Sequence, residues 1–487
     1  MMAVSSFGQE KTLEYNSEEL AEKTEREDAQ TQYLLIYEEI KKADKAKNIN
    51  ETKEALTGYK NAYEKLLKVK STYPWWEKTI IKYRIFYVEK NIQALKEIEY
   101  LKKEYELFPN VGLFKKINKY IYEINKKRTE QTIEKMEKSF EIYKVNGKII
   151  LKKYIGQDSV IKIPANIGKY KVEIGKFAFS SYDKHLRIDL SKGFTEIPER
   201  AFSGCKGLQQ VKIPEGLLKI GPWAFYGCTN LEKIEFPKTL KIIEEGAFAG
   251  NNKIQNIKLN DNVKVIGNQA FAGNKNLEKI YFSKALEKVG KKAFSGCSKL
   301  KKADMPKSVK EIGEGAFWLN DSLEEISISS DLDEIQAYTF GTCINLKRVR
   351  LGEKIKKIGK GAFYMCTSLA DVKIPRSVEK IDEHAFADCG ALQKVEIPHG
   401  CKEIDERAFE WCRSLVEVKL NEGLEIIRPS AFANCISLTS ITIPKSVTVI
   451  EDKAFSNCKK LEHVIIKNEE TQITYNAFEK CLFQIKK

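Results

Sequence analysis

Eleven cysteines and four histidines are the side chains best suited to nucleophilic attack, metal ligation or redox pairing. Their spacing argues against all three. Ten of the cysteines (Cys205, Cys228, Cys297, Cys343, Cys366, Cys389, Cys412, Cys435, Cys458 and Cys481) lie at multiples of 23 residues from one another, and no Cys-x-x-Cys pair occurs. Zinc ligands and redox pairs need much closer spacing. At three positions of the same series the residue is Asn instead, at Asn251, Asn274 and Asn320. Asparagine is neither a nucleophile nor a soft ligand. Like a thiol, however, it is small and can donate a hydrogen bond to a backbone carbonyl freed by a turn. The ten cysteines therefore read as structural pegs, and Cys401, where the period otherwise has Leu or Val, reads as a small apolar residue. So read, the cysteines do not report a redox compartment.

Other chemistry-bearing patterns are as sparse. His185, His384, His399 and His463 fall at different points of the period, and no glycine-rich phosphate loop or nucleophile elbow occurs. Carboxylates such as Glu324 and Glu325 read as solvated. With no inserted loop to gather side chains into a cleft, the sequence predicts no enzyme, no metal and no cofactor.

The elements that carry the cysteines are repeats. Ala-Phe recurs with Phe at 179, 202, 225, 248, 271, 294, 317, 340, 363, 386, 409, 432, 455 and 478, always 23 residues apart, with Thr339 alone replacing the alanine. The sixth residue after each Phe is usually Leu. The ninth and eleventh are apolar around a polar residue, as in Val211-Lys212-Ile213 and Val372-Lys373-Ile374, often closed by Pro214 or Pro375. That alternation predicts a short strand ended by a proline that cannot donate to a ladder. A second apolar pair follows, as at Val378 and Ile381, and the Ala-Phe segment has room for a short helical turn at most. One such unit cannot bury its own apolar residues, whereas a stack of them forms a continuous core.

The pattern AF-x-x-C-x-x-L-x-x-V-x-I-P resembles the BspA-like, or treponemal, class of leucine-rich repeats over residues of about 142 to 487. The resemblance implies a solenoid of fourteen coils with paired strands and a non-catalytic binding protein, secreted or at the cell surface, implicated in adhesion. Departures are few. In coil one His185 stands where Leu is expected, with Leu186 displaced by one, and coil eight (ISISSDLDEIQAYTFGTC) lacks both proline and alanine. Upstream, YKVNGKIILKKYIG places Asn146-Gly147 between two apolar alternations, a hairpin signal that would cover the open end of the stack.

The expected fold class is thus α+β: an acidic disordered tail over 1–30, a helical bundle over 31–140, a capping hairpin and lead-in over 141–176, and the solenoid over 177–487. Helical periodicity runs through Leu34, Leu35, Tyr37 and Ile40, then Leu56, Tyr59, Ala62, Tyr63, Leu66 and Leu67. A third helix is expected from about Trp75 to Leu107, and Pro109-Asn110 turns into a fourth. Ala62, Leu66, Val69 and Pro74 resemble the second half of a tetratricopeptide repeat, over 51–74, and a generic bundle explains them equally well. Trp75-Trp76 reads as a packing pair opening a helix.

The net charge of +15 raises the question of nucleic acid, but acid and base are interleaved: residues 141 to 487 hold 56 Lys/Arg and 44 Asp/Glu. Mixed signs are the ordinary surface of a soluble protein and argue against nucleic acid. No signal peptide or spanning segment is visible, so the chain as given reads as cytoplasmic, or as secreted if an export signal is missing. A protein partner remains. The residues after each Phe are normally Ser, Ala or Gly, yet coils seven, nine and eleven carry Trp318, Tyr364 and Trp411, and coil eight offers Arg348 and Arg350 on its strand. These five are the candidate partner-binding residues, the alternatives being edge padding for the aromatics and a solvated basic face for the arginines. Two uses stay open: an adhesin-like surface, or a cytosolic scaffold whose bundle and solenoid hold separate protein partners.

Overall fold

The computed structural model describes residues 17–48, 52–74, 78–107, 111–328 and 331–482. The chain forms two compact units, Met1–Glu130 and Gln131–Lys487.

The first unit is helical, with α1 (Ser17–Asn48), α2 (Thr52–Thr72), α3 (Lys78–Leu107) and most of α4 (Val111–Ser139). From Ser17 the acidic stretch is helical rather than a tail, and Ala29 on that helix is buried. Residues 1–16, Trp75-Trp76 and Pro109-Asn110 lie outside the described residues. The buried faces are Ile36, Ile40 and Ala43 of α1, Leu56, Tyr59, Ala62, Leu66 and Val69 of α2, and Ile81, Ile85 and Val88 of α3. Leu34, Leu35 and Leu67 face outward instead, because the four-residue step Ile36–Ile40 sets the stripe. Inside this core the Tyr59 and Tyr87 hydroxyls both donate to Asp44 Oδ1. Burial, followed by that carboxylate, pushes both phenols well above their ordinary pKa.

The second unit starts within α4, whose Ile133 and Met136 pack on the solenoid core, so the helical domain ends earlier than the sequence pattern places it. Strands β1 (Phe140–Val145) and β2 (Lys148–Tyr154) form the antiparallel hairpin, turning at Asn146 and Gly147, both left-handed at φ +48° and +73°. Phe140 sets its edge against Phe179, 5.5 Å between centroids, and closes the end of the Phe stack. From Phe179 to Phe478 the rings lie parallel, between 4.9 Å and 5.7 Å apart.

Each coil contributes three rows of backbone pairing. The expected strands pair in parallel, in three runs: Val160–Ile163 to Lys233–Glu235, Asn256–Lys258 to Glu417–Leu420, and Ser440–Ile443 with His463–Ile466. A second row of two-residue strands, from Glu196–Ile197 onward, forms around the apolar pair that closes each coil. At the Ala-Phe corner the Phe N–H donates to the carbonyl of the residue before the next Phe, as in Phe202 to Ala224 at 2.8 Å, with Thr339 taking the place of alanine for Phe317. The corner is a turn, not a helix. In coil one the displaced Leu186 pairs with Leu208 through a one-residue register shift before Arg187 meets Gln210. A bulge thus absorbs the irregularity.

Candidate functional site

The peg positions are set by the turn that follows each Phe. Every peg cysteine is buried. The thiol of Cys228 donates to the Phe202 carbonyl of the preceding coil at 3.0 Å, that of Cys366 to Phe340 at 3.2 Å, and that of Cys481 to Phe455 at 3.0 Å. Asparagine makes the same bond and one more: Asn251 Nδ2 donates to Phe225 and Phe248, both at 2.9 Å, and Asn274 and Asn320 do likewise in their coils. Its oxygen has less to do. Asn274 Oδ1 accepts from the Asn251 N–H at 2.7 Å, while the Asn251 and Asn320 oxygens are buried without a partner. The exchange is therefore close to balanced, one extra donor bond against one orphaned acceptor. Burial pushes the Cys297 and Cys343 thiols up to about 12 and Cys366 well above its ordinary range. Held protonated, these groups are poor nucleophiles. Coil one has Tyr182 at this place, packed edge-on against Tyr154. Cys401 is buried at the second apolar pair of its coil. Among the described residues no group of His, Cys, Asp and Glu is arranged to hold a metal ion.

The five candidate binding residues fall on two parts of the coil. Trp318 and Tyr364 are half-buried and Trp411 is exposed, all in the turn after Phe. The Lys292 ammonium lies 5.4 Å from the Trp318 ring centroid, and the Arg413 guanidinium 4.9 Å from that of Trp411. Tyr364 meets His384 edge-on at 6.3 Å. Arg348 and Arg350 stand exposed on the strand row instead. Their basic appearance is local to the sequence, because the ladder aligns Glu325, Arg348, Asp371, Lys394 and Glu417 side by side. Arg348 pairs with Glu325, and Lys357 with Glu334 and Asp382, so much of this charge is balanced between coils.

Two features escaped the sequence reading. Tyr226 of coil three also breaks the small-residue rule and is 46% exposed, so large aromatics at this edge are not confined to coils seven to eleven. The second residue after each Phe is also left-handed. Coils two to six place Gly there (Gly204, Gly227, Gly250, Gly273 and Gly296), coils seven to eleven hold Leu319, Thr342, Met365, Asp388 and Trp411 at φ between +57° and +62°, and coils one and twelve to fourteen hold Ser181, Asn434, Asn457 and Lys480 at φ between +59° and +64°. A side chain in that conformation costs about 1 kcal/mol or more. The signal was visible as the run of glycines that stops at coil seven, but only the dihedrals give it meaning.

Residues 172–301, 264–392 and 379–487 match the family described as BspA type leucine rich repeat region. Among solved structures, the chain is similar to a leucine-rich repeat protein from Bacteroides ovatus, at 29% identity over 71% of this chain and 91% of that one, with a TM-score of 0.63. It is similar also to a leucine rich cell surface protein from Faecalibacterium prausnitzii (24% identity, 70% and 96% coverage, TM-score 0.44). A leucine-rich repeat protein from T. pallidum matches at 26% identity over 48% and 89%, with a TM-score of 0.31. A comparison with curated proteins gives no match.

Proposed function

Because the chain belongs to the BspA type leucine-rich repeat family, we propose that it is a non-catalytic, adhesin-like protein whose protein partner docks on the turn edge of coils seven to eleven. Proteins of this family are generally interaction or adhesin-like proteins, and leucine-rich repeat solenoids are generally non-catalytic. The observation that carries the reading is the left-handed run. Coils two to six relieve the backbone there with glycine and coils one and twelve to fourteen hold the polar Ser181, Asn434, Asn457 and Lys480, whereas Leu319, Met365 and Trp411 keep large apolar side chains, and Leu319 and Trp411 are substantially exposed. Strain kept at an exposed position is a signature of recognition sites, and aromatic and arginine side chains carry most interface energy. Trp318 and Trp411, each held by a neighbouring cation, are the anchors. Tyr364 lies between them, and Arg348 and Arg350 steer from the strand side.

The test is affinity capture of surface proteins from the source cell and from cells it contacts, followed by binding kinetics. Trp318→Ala or Trp411→Ala should shorten the complex's lifetime, by about 1 to 2 kcal/mol. Changing Arg348 and Arg350 together to Ser should slow association and reduce its salt dependence. A captured partner indifferent to all four substitutions on a folded protein would place its site elsewhere. The second use, an intracellular scaffold, draws on the helical unit having a core of its own. Fractionation of the native protein separates the two, since an adhesin must leave the cytosol.

A further inference from the structure

The strand row is interrupted between coil three (Lys233–Glu235) and coil four (Asn256–Lys258), although the second row runs unbroken past the same place, Ile242 pairing with both Lys219 and Val265. Beside the break lies an unusual side chain. Where most coils close the strand with Leu or Ile, coil three has Phe236, whose ring stands edge-on to Phe248 at 5.6 Å and 87°. Coil five has the same residue type, Phe282 against Phe294, and its ladder to the next coil is the single pair Lys279 and Lys302, as short as that of coil nine, where Asp371 alone pairs with Lys394.

The interruption opens a groove of about 810 Å³ on the strand face of coils three to five. That volume is in the range of small-molecule sites, not of a protein interface. Its lining is nearly neutral and largely self-paired: Lys253 bonds Glu232 at 3.2 Å and Lys233 bonds Glu235 at 2.7 Å, with Lys258 beside them. The amides of Gln255 and Asn256 and the hydroxyl of Tyr281, all facing the groove, have no hydrogen-bond partner among the described residues. Tyr281 is 47% exposed, and its ring is oriented by the Lys279 ammonium 4.6 Å from the centroid.

We propose that this groove binds a neutral oligosaccharide. A pyranose presents hydroxyls, each both donor and acceptor, around an apolar C–H face. Amides that donate and accept match the hydroxyls, and two of the three ammoniums are already balanced by the two carboxylates of the groove. The exposed Tyr281 ring offers the flat apolar surface that the C–H face requires. An acidic ligand would find only Lys258 outside the Lys–Glu pairs, with Glu232 and Glu235 beside it. An extended peptide would need apolar pockets for alternate side chains, and the only other aromatic of the groove, Phe236, is engaged with Phe248. The site lies apart from coils seven to eleven, so its test is independent of the protein partner.

The experiment is calorimetric titration of the full chain with maltohexaose, cellohexaose, laminarihexaose, xylohexaose and chitohexaose, with sialyllactose as the acidic comparator. At least one neutral probe should bind, with an affinity that changes little between about 50 mM and about 500 mM salt. Tyr281→Ala should weaken it about tenfold, and Gln255→Ala or Asn256→Ala about threefold to tenfold. Tyr143→Ala, which removes an exposed ring from the hairpin, should leave affinity unchanged; thermal melts establish that each exposed-site variant is folded. The proposal is overturned if no neutral probe binds or if only sialyllactose does. It is equally overturned if Tyr281→Ala and both amide variants bind like the parent, or if an extended peptide library selects a ligand for the groove and the sugars do not compete with it.

Discussion

The helical unit and the solenoid satisfy their buried polar groups in opposite ways. The helices complete their backbone bonds internally and leave side chains to bond across the core, so two tyrosines converge on Asp44 and Arg128 reaches Asn91 at 3.3 Å. In the solenoid the backbone itself bonds from coil to coil, helped by side chains at recurrent positions: the peg, a Ser or Thr such as Ser377 and Ser446, and an Asn such as Asn276 and Asn345, each donating to a carbonyl of the preceding coil. A single substitution should therefore damage the helical unit as a whole but the solenoid only locally, and chemistry common to all pegs should act on the solenoid alone.

Alkaline pH gives the largest expected contrast. The helical unit holds no cysteine. The solenoid buries thiols that stay protonated to about 12 at Cys205, Cys297 and Cys343, against 9.0 for an exposed thiol. Above pH of about 9 the unfolded chain loses these protons and the folded chain keeps them, so each such thiol lowers stability by about 1.4 kcal/mol per pH unit until its folded pKa is reached. Below that window nothing is lost. Denaturant melts between about pH 9 and about pH 10, below the ordinary phenol value of 10.0 above which the raised Tyr59 and Tyr87 give the helical unit the same sensitivity, with thiol labelling to follow the solenoid and far-UV circular dichroism the helices, should show the solenoid weakening first. Coincident loss in both units would erase the contrast.

Phe363→Ala comes next, at about 3 to 5 kcal/mol. Hydrogen exchange should report lost protection in coils eight to ten before the ends of the stack, as expected for nearest-neighbour coupling; a uniform loss would argue against independent coils. Asp44→Ala should cost about 2 to 4 kcal/mol, leaving two buried hydroxyls unpaired, and should lower the helical transition while the solenoid transition stays put.

The smaller effects sharpen the account of the pegs and the turn edge. Cys366→Asn should change stability by less than about 1 kcal/mol, because the gained donor offsets the orphaned oxygen. Cys366→Asp, which turns a carboxylate toward carbonyl oxygens, should cost several times more. Trp411→Gly should leave stability unchanged or raise it by up to about 1 kcal/mol, relief of the left-handed strain being set against chain entropy. It should also weaken partner binding. A large loss of stability would mean that Trp411 is structural padding.

Much of the solenoid was legible because repetition averages out local ambiguity: fourteen copies at a fixed interval specify which residues face inward far better than one helix can. The pegs were legible for the same reason, since Cys and Asn exchange within a single chain. In the helical unit, Leu34 and Leu35 fitted an apolar stripe as well as Ile36 did, and only packing chose Ile36. Charge was also misread along the chain. Arg348 and Arg350 look basic in sequence, but their true neighbours are Glu325 and Ser327, one coil back, and for Arg348 also Asp371, one coil on.

By itself, then, the sequence determined the period, the strand positions, the Phe stack and the peg, all of which depend on residue type at fixed spacing. The tertiary structure decided what depends on neighbours 23 residues away and on backbone dihedrals. It decided the second strand row, the balancing of charge between coils, the left-handed position after each Phe, and the groove at the break in the strand row beside Phe236. The physical reason is that a ladder brings together residues remote along the chain, and the cost or room at each position is fixed only once its neighbours are in place.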